Sequence, residues 1–400
     1  MSSKTASVTH PLPVASRMAR LGTETAFEVL VRARALEAQG RHIVHLEIGE
    51  PDFDTPANVI EAGVDALRSG WTHYGPAAGL PELRKTVAEY VGKTRKVEVT
   101  PEEVVVVPGG KPTMFYAIMA LVEEGDEVIY PNPGFPIYES MARFVGARAV
   151  PVKIREERDF SLDVNELASL ITNRTKMIIL NSPHNPTGGT MSQRDIQAVA
   201  DAIGDRNIFV LTDEIYSRLI YEGSHFSMFS LEEMRDRTIL LDGFSKTYAM
   251  TGWRLGYGVM RSDLAEHVAR LAINCTSCTA SFTQIAGIEA LRGDQSSVDK
   301  MKREFQRRRD YVVERLNKIP GFACRMPRGA FYVFPNITGT GWHSKELASA
   351  LLEEAGVACL SGTAFGEFGE GYIRFSVANS IENITTALDR VEQWARKNGR

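Results

Sequence analysis

Residues 238–256 read TILLDGFSKTYAMTGWRLG. The first five form a short, largely apolar run of the kind that lies buried inside a parallel sheet. A turn follows, in which Ser245 and Lys246 lie just past the carboxyl end of this strand. In open α/β sheets, ligands gather at that edge. The stretch therefore predicts an α/β fold with a binding site that contains a lysine.

Strands of the same kind recur along the chain and alternate with helical patterns. The candidate strands span residues 104–107, 127–130, 177–180, 208–212, 238–242 and 257–260. Helical patterns cover 112–123 and 136–145, and Pro112 suits the first turn of its helix because no N–H is needed there. This alternation predicts a mostly parallel sheet covered by helices.

The character of the sequence changes from about residue 294. A long charged helix is predicted to about residue 318, and short strands follow at 329–334 and 372–377, with one helix between them and one after. The pattern predicts a smaller α+β domain, onto which a helix at 27–37 would pack. The run Arg307-Arg308-Arg309 could be a nucleic-acid patch, but without interleaved aromatic residues a solvated helix face is the preferred interpretation.

Composition is that of an ordinary soluble globular protein. Hydrophobic residues make up 44% and charged residues 24% of the 400, and the formal net charge of −4 favours neither nucleic acid nor an acidic membrane surface as a partner. No apolar run reaches the roughly 18 residues of a membrane-spanning helix. The N-terminal segment is Ser-rich and basic, which fits a transit peptide or, as we prefer, a flexible arm.

The cysteines are too few to indicate a fold that depends on disulfide bonds. There are four of them in 400 residues, which predicts a reducing compartment, the cytoplasm. Cys275 and Cys278 form a single CxxC, and with no second pair and no nearby histidine it is weak evidence for zinc or redox chemistry. We expect packed residues there and no metal site.

Two segments could bind a phosphate near Lys246. Between Phe244 and Tyr248 the lysine has partly apolar surroundings, which would lower the pKa of its amine and make it nucleophilic. Arg254, between glycines, offers a planar fork for phosphate. Gly109-Gly110-Lys111 ends one strand and opens a helix, whose N-terminal N–H groups bind anions. Neither segment matches a nucleotide-binding motif, so a phosphorylated cofactor is the better prediction.

Three further segments place polar groups at strand ends or in a short strand. Asp213 ends the strand 208–212, where a buried carboxylate needs a cation such as a protonated pyridine nitrogen, although helix capping is an equal alternative. Tyr216 and Asn185 could both reach the phenolic oxygen of such a ring. Arg374, in the strand 372–377, faces either solvent or a pocket, where it would clamp an α-carboxylate.

In this order and at these spacings, the motifs resemble those of the class I aminotransferases, among the fold-type I pyridoxal-phosphate (PLP) enzymes, and most closely the bacterial aspartate aminotransferase subgroup. The resemblance covers about residues 26–394. It is carried by Gly49-Glu50-Pro51-Asp52-Phe53, Tyr74-Gly75-Pro76, Asn185-Pro186-Thr187-Gly188, Asp213-Glu214-Ile215-Tyr216, Ser245-Lys246, Thr251-Gly252-Trp253-Arg254 and Arg374-Phe375-Ser376.

The resemblance implies a role for particular residues toward PLP. Lys246 would form the Schiff base and shuttle the proton, while Asp213 would pair with the pyridine nitrogen. Tyr216 and Asn185 would bind the 3′-oxygen. The other implied cofactor-binding residues are Gly109, Gly110, Lys111, Phe135, Ser245, Arg254 and, from a second subunit, Tyr74.

The resemblance also implies where the substrate binds and how the chain is organised. Arg374 would bind the α-carboxylate, with Gly49 and Asn185 lining the same pocket. A homodimer with shared active sites is implied. Each chain would have a large PLP-binding domain, residues 50–290, with a mostly parallel seven-stranded sheet. The N-terminal part, residues 1–49, would join a small C-terminal domain, residues 291–400.

The implied activity is ping-pong transfer of an amino group between an amino acid and a 2-oxo acid. Lys111 resembles the lysine that binds a distal carboxylate, which favours aspartate and glutamate. Glu24 could instead favour a cationic side chain, so broad, aromatic or basic specificity stays open. A cysteine-conjugate β-lyase and a non-catalytic binding protein on the same fold are the alternatives.

Overall fold

The structure is a computed structural model and describes residues 13–398; part of the predicted N-terminal arm, residues 1–12, lies outside the described residues. Within that range the α-helices are α1 (Thr25–Glu37), α2 (Ala57–Arg68), α3 (Pro81–Arg95), α4 (Lys111–Leu121), α5 (Ile137–Phe144), α6 (Val164–Leu170), α7 (Gln193–Ile203), α8 (Ser262–Thr276), α9 (Ser281–Arg292), α10 (Ser296–Leu316), α11 (Ser344–Ala350) and α12 (Ile381–Asn398).

The strands in this range are two to seven residues long. They are β1 (Val44–His45), β2 (Val104–Val107), β3 (Glu127–Asn132), β4 (Arg148–Lys153), β5 (Thr175–Asn181), β6 (Phe209–Asp213), β7 (Thr238–Gly243), β8 (Gly256–Val259), β9 (Tyr332–Val333), β10 (Val357–Ala358), β11 (Leu360–Ser361) and β12 (Ile373–Ser376).

The large sheet has seven strands among the described residues, in the order β2-β8-β7-β6-β5-β3-β4. All neighbours pair in parallel except that β8 runs antiparallel to both β2 and β7. The predicted α/β class with a mostly parallel, seven-stranded sheet is confirmed. The strand pattern alone did not reveal β4, because this edge strand is only half buried and carries Arg148, Pro151 and Lys153.

Helices cover both faces of this sheet, and strand alternation decides which residues meet which helices. Val105 and Val107 join a core cluster with residues of α4, α5 and α8. Val104 and Val106, which point to the opposite face, pack with residues of α2, α3 and α9. With both faces buried, the sheet exposes its loops at the strand ends, and those at the carboxyl ends of the parallel strands build the site described below.

A second, smaller unit has its own sheets and core. The strands β11-β12-β9 form an antiparallel sheet, and β1 pairs with β10 in parallel. Residues of α10 and α12 pack in one cluster with β9 and β12. The predicted strand regions 329–334 and 372–377 contain β9 and β12, and the predicted smaller α+β unit is present. On α1, Ala33 packs with Ile43, Leu352 and Ala358, as expected for a helix that joins this unit.

The arginine run on α10 is not the solvated face that the sequence favoured. Only Arg307 is largely exposed, while Arg308 and Arg309 are buried. Arg308 donates to Asp52 at 2.7 Å, and Arg309 donates to the carbonyl of Pro327 at 2.6 Å. Consecutive helical residues point in directions about 100° apart, so a run of three cannot share one face. These two arginines join α10 to neighbouring segments.

Candidate active site

A cavity of about 490 Å³ lies at the carboxyl ends of the central parallel strands. Asn181 and Asp213 are the last residues of β5 and β6, and Lys246 follows the end of β7. The start of α1 and Arg374 of β12 complete the wall. The sheet edge thus brings together residues that lie far apart in the sequence.

Most of the residues singled out from the sequence line this cavity. They are Gly49, Gly110, Lys111, Phe135, Asn185, Asp213, Tyr216, Ser245, Lys246, Arg254 and Arg374. Gly109 lies behind the lining, against Arg254. Tyr74 is not part of the lining, and its side chain is 90% exposed in the single chain. The expectation that a second subunit brings Tyr74 to the site stays a prediction.

The Lys246 amine is held inside the cavity. Its Nζ donates to the carbonyl oxygen of Gly49 at 2.6 Å. Burial lowers the pKa of Lys246 to about 8, Glu50 opposes the shift, and the positive charge of Arg374 adds to it. Because a larger fraction of this amine is neutral near physiological pH, it is a better nucleophile than a surface lysine.

Asp213 is a buried carboxylate that forms no ion pair with any of residues 13–398. The hydroxyl of Tyr138 donates to its Oδ2 at 2.7 Å, and the backbone N–H of Ile215 donates to its Oδ1 at 3.2 Å. Burial raises the pKa of Asp213 to about 6, although both hydrogen bonds act in the other direction. A cationic group in the cavity would relieve this cost, which is what a protonated pyridine nitrogen supplies.

Two hydrogen-bonded tyrosines also line the cavity. The hydroxyls of Tyr216 and Tyr332 share a hydrogen bond of 2.7 Å, and their rings meet edge to face. A Cβ on Gly49 would lie 2.1 Å from the Tyr332 hydroxyl oxygen. Only glycine therefore fits at position 49 while Tyr332 keeps this orientation.

Arg374 is aimed into the cavity and only partly satisfied. One terminal nitrogen donates to Oδ1 of Asn185 at 2.9 Å and the other donates to the carbonyl of Glu47 at 2.6 Å. Its Nε is buried and has no partner among residues 13–398. The guanidinium lies 4.3 Å from the ring centroid of Tyr332. Burial lowers the pKa of Arg374 from its ordinary value. Because this guanidinium lines the cavity, its charge favours an anionic ligand there.

An anion cradle lies at the start of α4. Arg254, in the left-handed region with φ +56°, donates to the carbonyl of Thr251 at 2.8 Å. Gly109 has φ +85°, and a Cβ there would lie 2.3 Å from a guanidinium nitrogen of Arg254. This close approach requires glycine. The arginine therefore sits directly beside the N–H groups of a helix N-terminus, an arrangement suited to phosphate.

Lys111 and Phe135 form the outer part of the cavity. The Nζ of Lys111 lies 5.3 Å from the centroid of the Phe135 ring and forms an ion pair with Glu24. Glu24 was considered from the sequence as a residue facing the substrate, and the structure places it in the lining.

The cavity contains an amine with a lowered pKa, a buried carboxylate that has no ion pair among residues 13–398, a phosphate cradle and a buried arginine. These groups fit a phosphorylated pyridine aldehyde, and on this α/β fold they define a PLP-dependent enzyme of the aminotransferase type. The chain belongs to the family described as aminotransferase class I and II, whose model matches residues 41–391. It is a PLP-dependent aminotransferase.

Relatives of this chain are named for different substrates. The chain is 44% identical to the aspartate aminotransferase of Pyrococcus horikoshii, over 95% of this chain and 96% of the relative. It is 39% identical to aromatic-amino-acid aminotransferase 2 of Thermococcus litoralis, over 89% and 92%. Among solved structures, the aspartate aminotransferase from Thermus thermophilus with maleate superposes with a TM-score of 0.92 at 36% identity, covering 96% of this chain and all of the other.

Sequence patterns missed several residues of the site. Tyr138, Tyr332 and Glu47 carry no motif of their own. Tyr138 falls inside a predicted helix, and Tyr332 inside a predicted strand. Tyr332 lies on β9, which pairs with β12, the strand that carries Arg374. This pairing would have identified Tyr332 as a site residue, but a single sequence does not show which strands pair.

All four cysteines are free, but the CxxC pair is not packed as expected: Cys275 is exposed and Cys278 is only half-buried. These two residues lie at the end of α8 and just after it, where the chain leaves the helix. Within residues 13–398, no group of acidic, histidine and cysteine side chains is placed to hold a metal ion, and no helix there is both long and apolar enough to cross a membrane.

Proposed function

We propose that this enzyme transfers amino groups between amino acids and 2-oxo acids through Lys246, with acidic substrates of the aspartate and glutamate type among its preferred ones. The observation that carries this proposal is the shared cavity. It holds a Lys246 amine with a pKa of about 8, the Asp213 carboxylate and the Arg374 guanidinium. The similarity to two Pyrococcus proteins named aspartate aminotransferase supports acidic substrates.

Lys246 would hold PLP through its ε-amine, and Asp213 would pair with the ring nitrogen. Arg254, with Ser245 and the Gly109-Gly110-Lys111 turn, would hold the phosphate. The remaining contacts to the ring would come from Phe135, Tyr216 and Asn185. When bound, PLP accepts the electron pair that is released at the substrate Cα.

Proton transfer at the substrate Cα is the task proposed for Lys246. A base with a pKa near the working pH is the most effective, because enough of it is neutral and it still holds a proton well. Burial produces such a value for Lys246. The nearby Gly49 carbonyl, which accepts from Nζ, directs this amine in the free enzyme.

Arg374 would bind the substrate α-carboxylate, oriented by Asn185 and the carbonyl of Glu47. Gly49 lines the same part of the cavity and leaves room for the Tyr332 hydroxyl. Lys111 would bind the distal carboxylate of an acidic substrate. Donor and acceptor would use one pocket in turn, which gives ping-pong kinetics.

The proposed assembly is a homodimer in which Tyr74 completes the partner's phosphate site. The large exposure of Tyr74 and the exposed Trp71 nearby in sequence support it, because a single chain leaves these rings in water. We propose boundaries near residues 50 and 290 for the large domain, with 1–49 joined to 291–400. The proposed location is the cytoplasm, which fits four free cysteines.

A donor panel tests the function. Purified protein loaded with PLP should transfer amino groups from aspartate to 2-oxoglutarate, or from aspartate or glutamate to pyruvate, with parallel double-reciprocal lines. Lys246→Ala should lose this turnover and the visible absorbance of the bound cofactor. Normal turnover in Lys246→Ala would refute the assignment of this lysine, and a protein that stays colourless with PLP would refute the whole proposal. Pyruvate and ammonia released from cysteine conjugates without an oxo acid would indicate a β-lyase instead.

A further inference from the structure

Glu24 and Lys111 form an ion pair at the outer end of the cavity. The Glu24 side chain is 19% exposed and that of Lys111 is 47% exposed. Glu24 is the N-cap residue of α1, yet its side chain makes no capping hydrogen bond to that helix. A carboxylate at an N-cap ordinarily satisfies free N–H groups of its own helix. Here it is turned toward the cavity instead.

Lys111 occupies an unfavourable position for a cation. It is the first residue of α4, where the helix dipole places partial positive charge. Arg254 and Arg374, which line the same cavity, add further positive charge. A nearby anion therefore stabilises Lys111, and in the free enzyme Glu24 is that anion.

Glu24 also acts on Arg374. Burial lowers the pKa of Arg374, and the negative charge of Glu24 is among those that oppose this shift, so the carboxylate lies close enough to affect the guanidinium. One acidic side chain thus faces both cations that the proposed function assigns to the two carboxylates of an acidic substrate.

The segment before α1 fixes Glu24 in this place. The backbone N–H of Gly22 donates to the Ser140 hydroxyl of α5 at 2.8 Å. Arg20 donates to the carbonyl of Phe144 at 3.4 Å. Because α5 belongs to the large sheet unit that also carries Lys111, these contacts hold the start of α1 over the lysine.

We propose that Glu24 is an internal counter-ion of Lys111 that sets the choice between acidic and uncharged substrates. With an uncharged side chain in the pocket, the Glu24–Lys111 pair remains intact and Lys111 keeps its partner. An acidic substrate must replace Glu24 at Lys111, which weakens its binding relative to a free lysine. The same pocket thereby accepts acidic and uncharged substrate side chains, one after the other. This inference rests on the proposed function, in which Lys111 meets the distal carboxylate.

The same geometry argues against a cationic substrate. A side chain that carries an ammonium would have to compete with Lys111 for the Glu24 carboxylate and would then lie beside a displaced lysine. Like charges at short distance in a partly desolvated pocket repel one another. The Glu24–Lys111 ion pair therefore favours substrates with acidic or uncharged side chains over cationic ones.

Three four-carbon probes without an α-amino group test the inference on the PLP-loaded enzyme: succinate, butyrate and 4-aminobutyrate. Calorimetric titration gives the dissociation constant of each. In Glu24→Gln, we expect the preference for succinate over butyrate to rise by about two- to fivefold, because the substrate carboxylate no longer competes with Glu24 for Lys111. In Lys111→Gln, the same preference should fall by about tenfold or more.

Glu28→Gln is the matched control. Glu28 is an exposed acid in the first turn of the same helix and does not line the cavity. This variant removes the same charge from α1 and should leave the preference unchanged. An unchanged preference in Glu24→Gln, or an equal change in Glu28→Gln, would overturn the inference. So would a loss of 4-aminobutyrate binding in Glu24→Gln with succinate unaffected, which would assign Glu24 to cationic side chains.

Amino transfer from aspartate and alanine is measured on the same wild-type preparation. If the wild type transfers no amino group, the proposed function and this inference fail together. If it does transfer amino groups but the Glu24→Gln preference is unchanged, only the role of Glu24 is refuted.

Discussion

The Tyr138 hydroxyl donates to Oδ2 of Asp213 across 2.7 Å, and both side chains are buried. Tyr138 lies on α5 and Asp213 ends β6, so a helix on one face of the sheet orients a carboxylate at its edge. The hydrogen bond favours the ionised form of Asp213 against the effect of burial. Tyr138 is thus a positioning residue for the group proposed to hold the PLP ring nitrogen.

Tyr138→Phe should weaken PLP binding and slow turnover. Loss of a hydrogen bond to a buried charged group costs about 1.5–3 kcal/mol, which corresponds to about ten- to a hundredfold in the dissociation constant of PLP. Spectroscopic titration of PLP into the cofactor-free protein measures this. The pKa of Asp213 should also rise further in this variant, because the hydrogen bond that lowers it is gone.

Tyr221→Phe separates this effect from the loss of any buried hydroxyl. The Tyr221 hydroxyl donates to the carbonyl of Ala330 at 2.5 Å, and Tyr221 does not line the cavity. It should reduce thermal stability without changing PLP affinity. An equal loss of PLP affinity in both variants would contradict the role given to Tyr138.

The pH dependence of stability in the cofactor-free protein should reveal Asp213. Its pKa is raised from 3.8 to about 6 in the folded protein, so the folded state binds its proton more tightly than the unfolded state. The resulting stability is present at low pH and is lost as the pH rises through about 6. Relative to Asp213→Asn, the wild type should lose about 2 kcal/mol between pH 4.5 and pH 8.

Urea unfolding of both proteins at these two pH values measures the free energy of unfolding of each. In the difference between wild type and Asp213→Asn, the contributions of the titrating groups that both proteins share cancel. Saturating PLP should remove much of the loss in the wild type, because a cation then faces the carboxylate. A difference between the two proteins that does not vary with pH would refute the raised pKa.

A buried ion cluster formed by Arg95, Glu214 and Asp242 should contribute strongly to the free energy of unfolding. Arg95 lies 2.8 Å from Glu214 and 3.1 Å from Asp242. Arg95→Met would leave two buried carboxylates without their guanidinium, at a cost of about 3–5 kcal/mol in urea unfolding.

Arg292→Met is the corresponding exposed variant. Arg292 pairs with Glu82 and Glu89 on the surface. Its loss should cost less than about 1 kcal/mol, because water screens exposed pairs. Equal losses in the two arginine variants would show that burial does not decide the strength of the Arg95 cluster.

Gly49→Ala should damage substrate binding through Tyr332. The added methyl group would collide with the Tyr332 hydroxyl, which forms a hydrogen bond with Tyr216. It would therefore displace the Tyr332 ring from its contact with the Arg374 guanidinium. Overpacking of this kind costs about 1–3 kcal/mol, so the KM for the amino donor should rise by about five- to a hundredfold.

A rescue experiment distinguishes this steric effect from general damage. Tyr332→Phe removes the oxygen that the methyl group meets. Gly49→Ala combined with Tyr332→Phe should therefore recover part of the affinity that Gly49→Ala loses, relative to Tyr332→Phe alone. The absence of any recovery in steady-state kinetics would refute the steric explanation.

The sequence was informative wherever a local rule applies. Apolar runs bounded by turns located six strands of the large sheet, and the motif around Lys246 placed its amine at the carboxyl edge. The pattern failed for β4, whose half-buried edge position mixes polar and apolar residues. It also failed for Arg308 and Arg309, because a charged run gives no information about which helical neighbours it will meet.

The sequence by itself determined the α/β class, the family resemblance and the candidate residues Lys246, Asp213 and Arg374, since each follows from a short segment. Only the tertiary structure decided what surrounds them. Tyr138 comes to Asp213 from a different layer, and Glu24 comes to Lys111 from the start of α1. The physical reason is that desolvation, pairing and steric fit depend on atoms that are close in space, and those atoms belong to segments up to hundreds of residues apart.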